Sequence, residues 1–138
     1  YKTLDQYFPN SKFVLTIRDS PDQWYNSLVN FHAKLFGEGK RPSWDDLKKI
    51  DYVYEGWSYK NRQKLFGLTL EDDPYDKEKL IAKYNKHNED VLNYFKNRPN
   101  DLLVINLSDP ESYKNLCEFI GKEPIREEFP WKNQTAKI

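Results

Sequence analysis

Lys12-Phe-Val-Leu-Thr-Ile17, Arg18-Asp19 and Ser20-Pro-Asp-Gln-Trp-Tyr-Asn-Ser27-Leu28 form the stretch on which the reading of this chain turns. The first part is an apolar run of β-branched and aromatic residues without alternation, the pattern of a strand buried on both faces. The signals after it belong to a helix start. Ser20 is a good N-cap, Pro21 suits the first helical position, and Gln23 completes a Ser-x-x-Gln capping box. Arg18 is therefore expected at the carboxyl end of a buried strand, beside the free N–H groups of a helix N-terminus. Open α/β sheets bind ligands at that place, and an anion finds both dipole and donors there. A guanidinium can give a phosphate two hydrogen bonds, each worth about 1.5–3 kcal/mol. The same arginine could instead pair with Asp19 or another carboxylate and simply close the strand end. Both readings stand on the local pattern.

Composition narrows the classes. At 138 residues the chain has the length of one domain and can bury roughly two thirds of its unfolded surface. Formal net charge is zero, which argues against sequence-independent binding to nucleic acid. Hydrophobic residues make up only 38%, so the core must lean on an aromatic share of 16%. The single cysteine, Cys117, excludes an internal disulfide and suits a reducing compartment; it falls on the apolar face of a late helix, as a buried structural thiol would. No run has the length of a membrane span. Two histidines and one cysteine, far apart in sequence, do not make a metal site.

The segment from Lys12 to Ser27 resembles the 3′-phosphate-binding segment of the sulfotransferases. In that family a strand ends in Arg-Asp, and a helix then presents a serine about two turns on. The resemblance implies that Arg18 and Ser27 hold the 3′-phosphate of 3′-phosphoadenosine 5′-phosphosulfate (PAPS). In the common spacing the serine lies eight residues after the arginine; here that position is Asn26, and Ser27 lies nine after. An extra residue in the turn around Ser20-Pro21 would restore the register. The likeness continues through Tyr84–Phe95, Arg98-Pro99, Leu102–Leu107, Leu116–Gly121 and Phe129-Pro-Trp-Lys-Asn133. It implies an α/β fold of three layers, P-loop nucleoside-triphosphatase-like, with parallel strands flanked by helices over residues 1–138. The family's phosphosulfate loop, normally near the amino end, is expected to be missing from this chain. A basic loop near the carboxyl end encloses the nucleotide in that family, which makes Lys132 a candidate second phosphate contact; a tail merely packing Phe129 and Trp131 on the core is the alternative.

Taken in order, Leu4 to Phe8 read as a short helix and Pro9-Asn10 as a turn. The helix after Arg18 is expected to reach Phe36, with Trp24, Leu28, Phe31 and Leu35 on one stripe. His32 sits one residue off it, a structural histidine or a catalytic base. Gly37-Glu-Gly-Lys40 reads as a helix-ending turn, since it is too short for a phosphate loop and has no preceding strand. Ser43-Trp-Asp-Asp46 restarts a helix with an N-cap and acidic first turn. Between Asp51 and Pro74 the aromatics Tyr52, Tyr54, Trp57, Tyr59 and Phe66 either plug the core or hold an acceptor, with a helix near Lys60–Phe66 stopped by Gly67. Lys60, Arg62 and Lys64 read by default as a solvated face, and otherwise as facing an anionic acceptor. The longest helix is expected from Tyr75 to Phe95, with Leu80, Tyr84, Val91 and Phe95 buried and His87 on or next to that stripe, a hydrogen-bonded core-edge histidine or a ligand or base. Leu102–Leu107 reads as a second buried strand, parallel to the first after a helical crossover. A last helix, Glu111–Ile120, ends at Gly121.

The function implied is transfer of a sulfuryl group from PAPS to a hydroxyl or amine of a small-molecule or glycan acceptor. No metal, nucleic acid or membrane segment enters this reading. A cytoplasmic location is expected, a Golgi lumenal domain being the alternative. Two rivals stand beside it: a non-catalytic sulfotransferase-like interaction module, and a nucleotide kinase-like protein, which lacks a Walker-type lysine loop. Sequence assigns neither catalytic base nor oligomeric state.

Overall fold

Strand β1, Phe13–Ile17, and strand β2, Leu102–Asn106, pair in parallel, with Phe13 level with Leu102 and Ile17 with Asn106. The computed structural model describes residues 1–130, so Trp131 and the candidate Lys132 lie outside the described residues. The other elements are α1 (Lys2–Tyr7), α2 (Pro21–Phe36), α3 (Trp44–Lys49), α4 (Trp57–Phe66), α5 (Lys77–Phe95), a 3₁₀ turn (Pro99–Asp101) and α6 (Ser112–Ile120). The result is a mixed α/β protein with a small parallel sheet. Strand pairing, direction and the helix order agree with the sequence reading; most boundaries shift by one or two residues, as fraying ends do.

The chain divides into two units. The first joins Tyr1–Asp19 to the chain from Asn85 onward, and the second is Ser20–Tyr84. In the first, Leu15, Val91 and Phe95 are buried together, with Tyr1, Phe13, Ile17, Tyr94 and Leu102 packed against them. Asp5 of α1 accepts two hydrogen bonds from Arg98 (3.0 and 2.7 Å) and one from Tyr94 (2.7 Å). These donors hold the Asp5 carboxyl below its usual range. In the second unit, Leu68, Tyr75 and Leu80 form the core, with Trp24, Tyr25, Leu28, Trp44 and Phe66 around them. Helix α5 serves both: Leu80 belongs to the second core, Val91 and Phe95 to the first.

One expectation fails. Neither strand is buried on both faces: Val14 is 43% and Val104 39% exposed, while Leu15 and Ile105 are buried. The register explains it. Side chains level across a parallel pair share a face and alternate along the strand. Leu15 is level with Val104, and Thr16 with Ile105, so Leu15 and Ile105 point to opposite faces. On each face one strand is buried more deeply than the other. An unbroken apolar run reports high β propensity, but not how many faces the neighbours cover.

Ser43 caps α3 with a full capping box, donating its backbone N–H to Asp46 (2.8 Å) and accepting from the Asp46 N–H (3.3 Å). Gly67 and Gly121 end α4 and α6 in left-handed conformations.

Leu80 is fully buried on α5, whereas Leu92 is 48% exposed on the same helix. Leu80→Ala should cost about 2–5 kcal/mol, and Leu92→Ala should stay within about 0.5 kcal/mol. Urea denaturation of both variants, followed by tryptophan fluorescence, reads the difference.

Candidate functional site

Arg18 is the first residue beyond β1 and is partly buried. Its neighbour Asp19 does more than turn the chain. The Asp19 carboxylate accepts a hydrogen bond from the Asn106 amide at the end of β2, and the Asn106 carbonyl oxygen of the side chain accepts from the Ser108 N–H (3.1 Å). The Asn106 backbone carbonyl takes the Ser112 hydroxyl at 2.7 Å. Parallel pairing puts Ile17 level with Asn106, so the two strands stop side by side and their polar ends are tied together. Sequence reasoning missed Asn106. Its signal was a single amide closing the apolar run Leu102–Ile105.

Downstream, α2 starts as expected. Ser20 is extended and its hydroxyl accepts from the Gln23 N–H at 3.1 Å, with Pro21 at the first helical position. The supply of helix-start donors is smaller than expected, however. Pro21 has no N–H, the Gln23 amide serves the cap, and the Trp24 amide bonds the Ser20 carbonyl at 3.0 Å. Of the four amides that a helix start leaves without a helical partner, those of residues 20–23, Pro21 and Gln23 are thus not available to an anion. The Asp22 carboxylate, in that same first turn, pairs with Lys77 at 2.6 Å. A negative side chain already takes advantage of the dipole at this helix start.

Ser27 lies in the second turn of α2 and is partly buried, while Asn26 beside it is exposed. Seven residues make two turns less about 20°, so Ser27 stands on the same helix face as Ser20. Asn26 is rotated about 100° away. Gly37-Glu-Gly-Lys40 is the helix-ending turn expected: the Lys40 N–H bonds the Gly37 carbonyl (2.8 Å), and a Cβ on Gly37 would meet the Lys40 carbonyl oxygen at 1.8 Å.

The other candidates separate. His87 is exposed, its ring set edge-on to Tyr1 at 6.2 Å. Tyr52 and Tyr54 are exposed, whereas Phe66 and Tyr75 pack in the second core. Among the described residues no group of histidine, cysteine, aspartate and glutamate could hold a metal, and no helix is long and apolar enough to cross a membrane.

His32 joins a polar cluster inside the second unit. Its Nδ1 receives the Tyr75 hydroxyl at 3.0 Å and the Arg62 Nη2 at 3.1 Å. Two donors on Nδ1 require that nitrogen to be the acceptor, which places the ring proton on Nε2. Burial first, and the Arg62 charge second, lower the His32 pKa from its ordinary 6.5 to about 4. The default reading of Lys60, Arg62 and Lys64 as one solvated face is thus corrected. Both lysines are exposed, but Arg62 is buried. A basic run reports charge, while spacing along the helix decides which member turns inward.

The depressed His32 pKa fixes a pH dependence. Below pH 6.5 the unfolded chain takes up a proton that the folded protein refuses until about pH 4. Stability is therefore lost as pH falls through that window, with a slope approaching ~1.4 kcal/mol per pH unit from this group. Urea midpoints at several pH values should show it, and His32→Gln should flatten the slope between pH 6.5 and 4.

Comparison with known proteins bears on what these residues serve. No curated protein and no solved structure matches the chain. A family model described as a sulfotransferase domain matches residues 1–138. With its full length covered by that match, the chain belongs to the sulfotransferase domain family.

Proposed function

We propose that this protein transfers a sulfuryl group from PAPS to a hydroxyl or amine, within a three-layer fold of P-loop nucleoside-triphosphatase type. The observation that carries the reading is the arginine placed directly after a strand whose end is tied to its parallel partner through Asp19 and Asn106. Membership of the sulfotransferase domain family supports it. In this reading Arg18 supplies the charge that holds the 3′-phosphate, the Asp22 amide one further donor, and Ser27 a hydroxyl. Ser27 is preferred over Asn26 because it shares the helix face of the cap. Lys132 is the proposed second phosphate contact.

The chemistry is a displacement at sulfur. An acceptor oxygen or nitrogen forms a bond to sulfur, the bridging oxygen leaves with its electron pair on adenosine 3′,5′-bisphosphate, and the acceptor proton passes to a base. The 3′-phosphate is remote from that sulfur. Its binding positions the donor and does not itself lower the barrier unless the hold tightens in the transition state. His32 is a poor base as it stands, because its Nδ1 lone pair is already shared by Tyr75 and Arg62.

A second reading, a nucleotide- or partner-binding module without transfer, has one observation in its favour. Among the described residues neither strand runs into a glycine-rich phosphate loop, and the Gly37–Lys40 turn follows a helix.

Calorimetric titration with adenosine 3′,5′-bisphosphate and with AMP tests the nucleotide reading. The bisphosphate should bind at least tenfold tighter, since each hydrogen bond to a charged group is worth about 1.5–3 kcal/mol. Arg18→Ala should abolish most of that preference, and Ser27→Ala should reduce it where Asn26→Ala does not. Equal affinity for the two nucleotides would refute the site. Transfer of radiolabelled sulfate from PAPS to an acceptor panel separates enzyme from module.

A further inference from the structure

Helix α4 carries three basic residues, yet only Arg62 is turned inside, at 2% exposure. Ser58 and Phe66 stand four residues before and after it and share its face; Ser58 is buried too. The guanidinium carbon lies 4.6 Å from the centre of the Tyr75 ring and 5.2 Å from that of Phe66. Aromatic faces favour a cation but do not neutralise it.

No carboxylate does so either. Among the described residues Arg62 enters no ion pair, and the acids that flank Tyr75 in sequence are engaged elsewhere: Asp73 with Arg41 at 2.6 Å, Asp72 with Lys79, and Asp76 with the Lys79 N–H at 2.9 Å. An interior cation without a counter-charge is strongly unfavourable. Its nitrogen partner, Nδ1 of His32, is neutral and offers a single lone pair.

Two further atoms remain to be satisfied. Arg62 Nε and Ser58 Oγ are both buried and have no hydrogen-bond partner among the described residues. They lie one helical turn apart on the same inward face, and both can donate. A water accepting from them would still have two O–H bonds of its own to place, beside aromatic rings. A monoatomic anion has none to place, and it supplies the missing charge.

We propose that the Ser58–Arg62 face of α4 binds a small inorganic monoanion of chloride's size, held by Arg62 Nε and Ser58 Oγ. The ion balances the charge of Arg62 and completes the Arg62–His32–Tyr75 cluster, so it stabilises the second unit. The site is independent of the nucleotide reading, and its tests are made without nucleotide.

The first test is thermal unfolding in sodium chloride against sodium gluconate at matched ionic strength. The wild-type melting temperature should rise with chloride to a plateau, beyond the gluconate curve, as binding to the folded state alone requires. Ser58→Ala should weaken the apparent affinity about tenfold, the loss of one charge-assisted hydrogen bond. Arg62→Met should abolish the chloride-specific rise. Coincident chloride and gluconate curves for the wild type would overturn the proposal, as would a rise that survives in Arg62→Met. The second test does not depend on any variant folding. Anomalous diffraction from bromide-soaked wild-type crystals should place a peak between Ser58 and Arg62. An ordered water there without anomalous signal overturns the assignment.

Discussion

Everything in the first unit follows from the in-register parallel pairing of Phe13–Ile17 with Leu102–Asn106. Parallel neighbours cannot be joined by a hairpin and need a crossover. Here the crossover runs through residues 18–101 and contains the whole of the Ser20–Tyr84 unit. The pairing is therefore strongly non-local, and its loop-closure entropy must be met before the ladder rewards it. Its return is positional. Both strands stop at the same level, so Asp19 reaches Asn106, Asn106 receives Ser112, and Arg18 follows a strand end held by several hydrogen bonds. A ligand-binding side chain needs such a fixed base, because the rotamer freedom of a long arginine otherwise opposes every contact it makes.

The short sheet achieves this with little core. Two strands whose faces are unevenly covered leave Val14 and Val104 in partial contact with solvent. Compensation comes from aromatic packing: Phe13 lies 4.9 Å from Phe95, and Tyr94 5.3 Å from Tyr1. The Asp5–Arg98–Tyr94 bonds fasten α1 to the end of α5. Polar composition and a high aromatic share are two sides of one solution, since an aromatic ring buries more area per residue than an aliphatic chain.

Much of this was legible in sequence because it is local. The apolar strand runs at Phe13 and Leu102, the Ser20 cap, the Ser43 capping box and the Gly67 and Gly121 stops each rest on a few neighbouring residues, and the parallel direction follows from the helices between the strands. What escaped depends on partners distant in the chain. The burial of β1 is set by register against β2, the pairing of Asp19 by a residue far along the chain, and the fate of Arg62 by His32 and Tyr75. The loss of free amides at the α2 start was readable in principle. Pro21 has no N–H, and a filled cap consumes the Gln23 donor; weighing a cap and an anion site as competitors for the same amides exposes the conflict.

Arg18 and Arg62 show how context divides one chemistry. A guanidinium at a strand end keeps part of its surface in water, so an incoming phosphate exchanges some hydration for direct bonds and the net gain is modest and reversible. That suits a substrate. A guanidinium buried between Tyr75 and Phe66 lost its hydration when the unit folded. An anion that reaches it faces no further desolvation on the protein's side, and an interior of low polarity strengthens the attraction. An ion bound on those terms would be held as part of the structure and would not turn over. On the two proposals the same residue type would make an exchangeable grip at one place and a permanent counter-charge site at the other, and the deciding variable is how much water each arginine retains before an anion arrives.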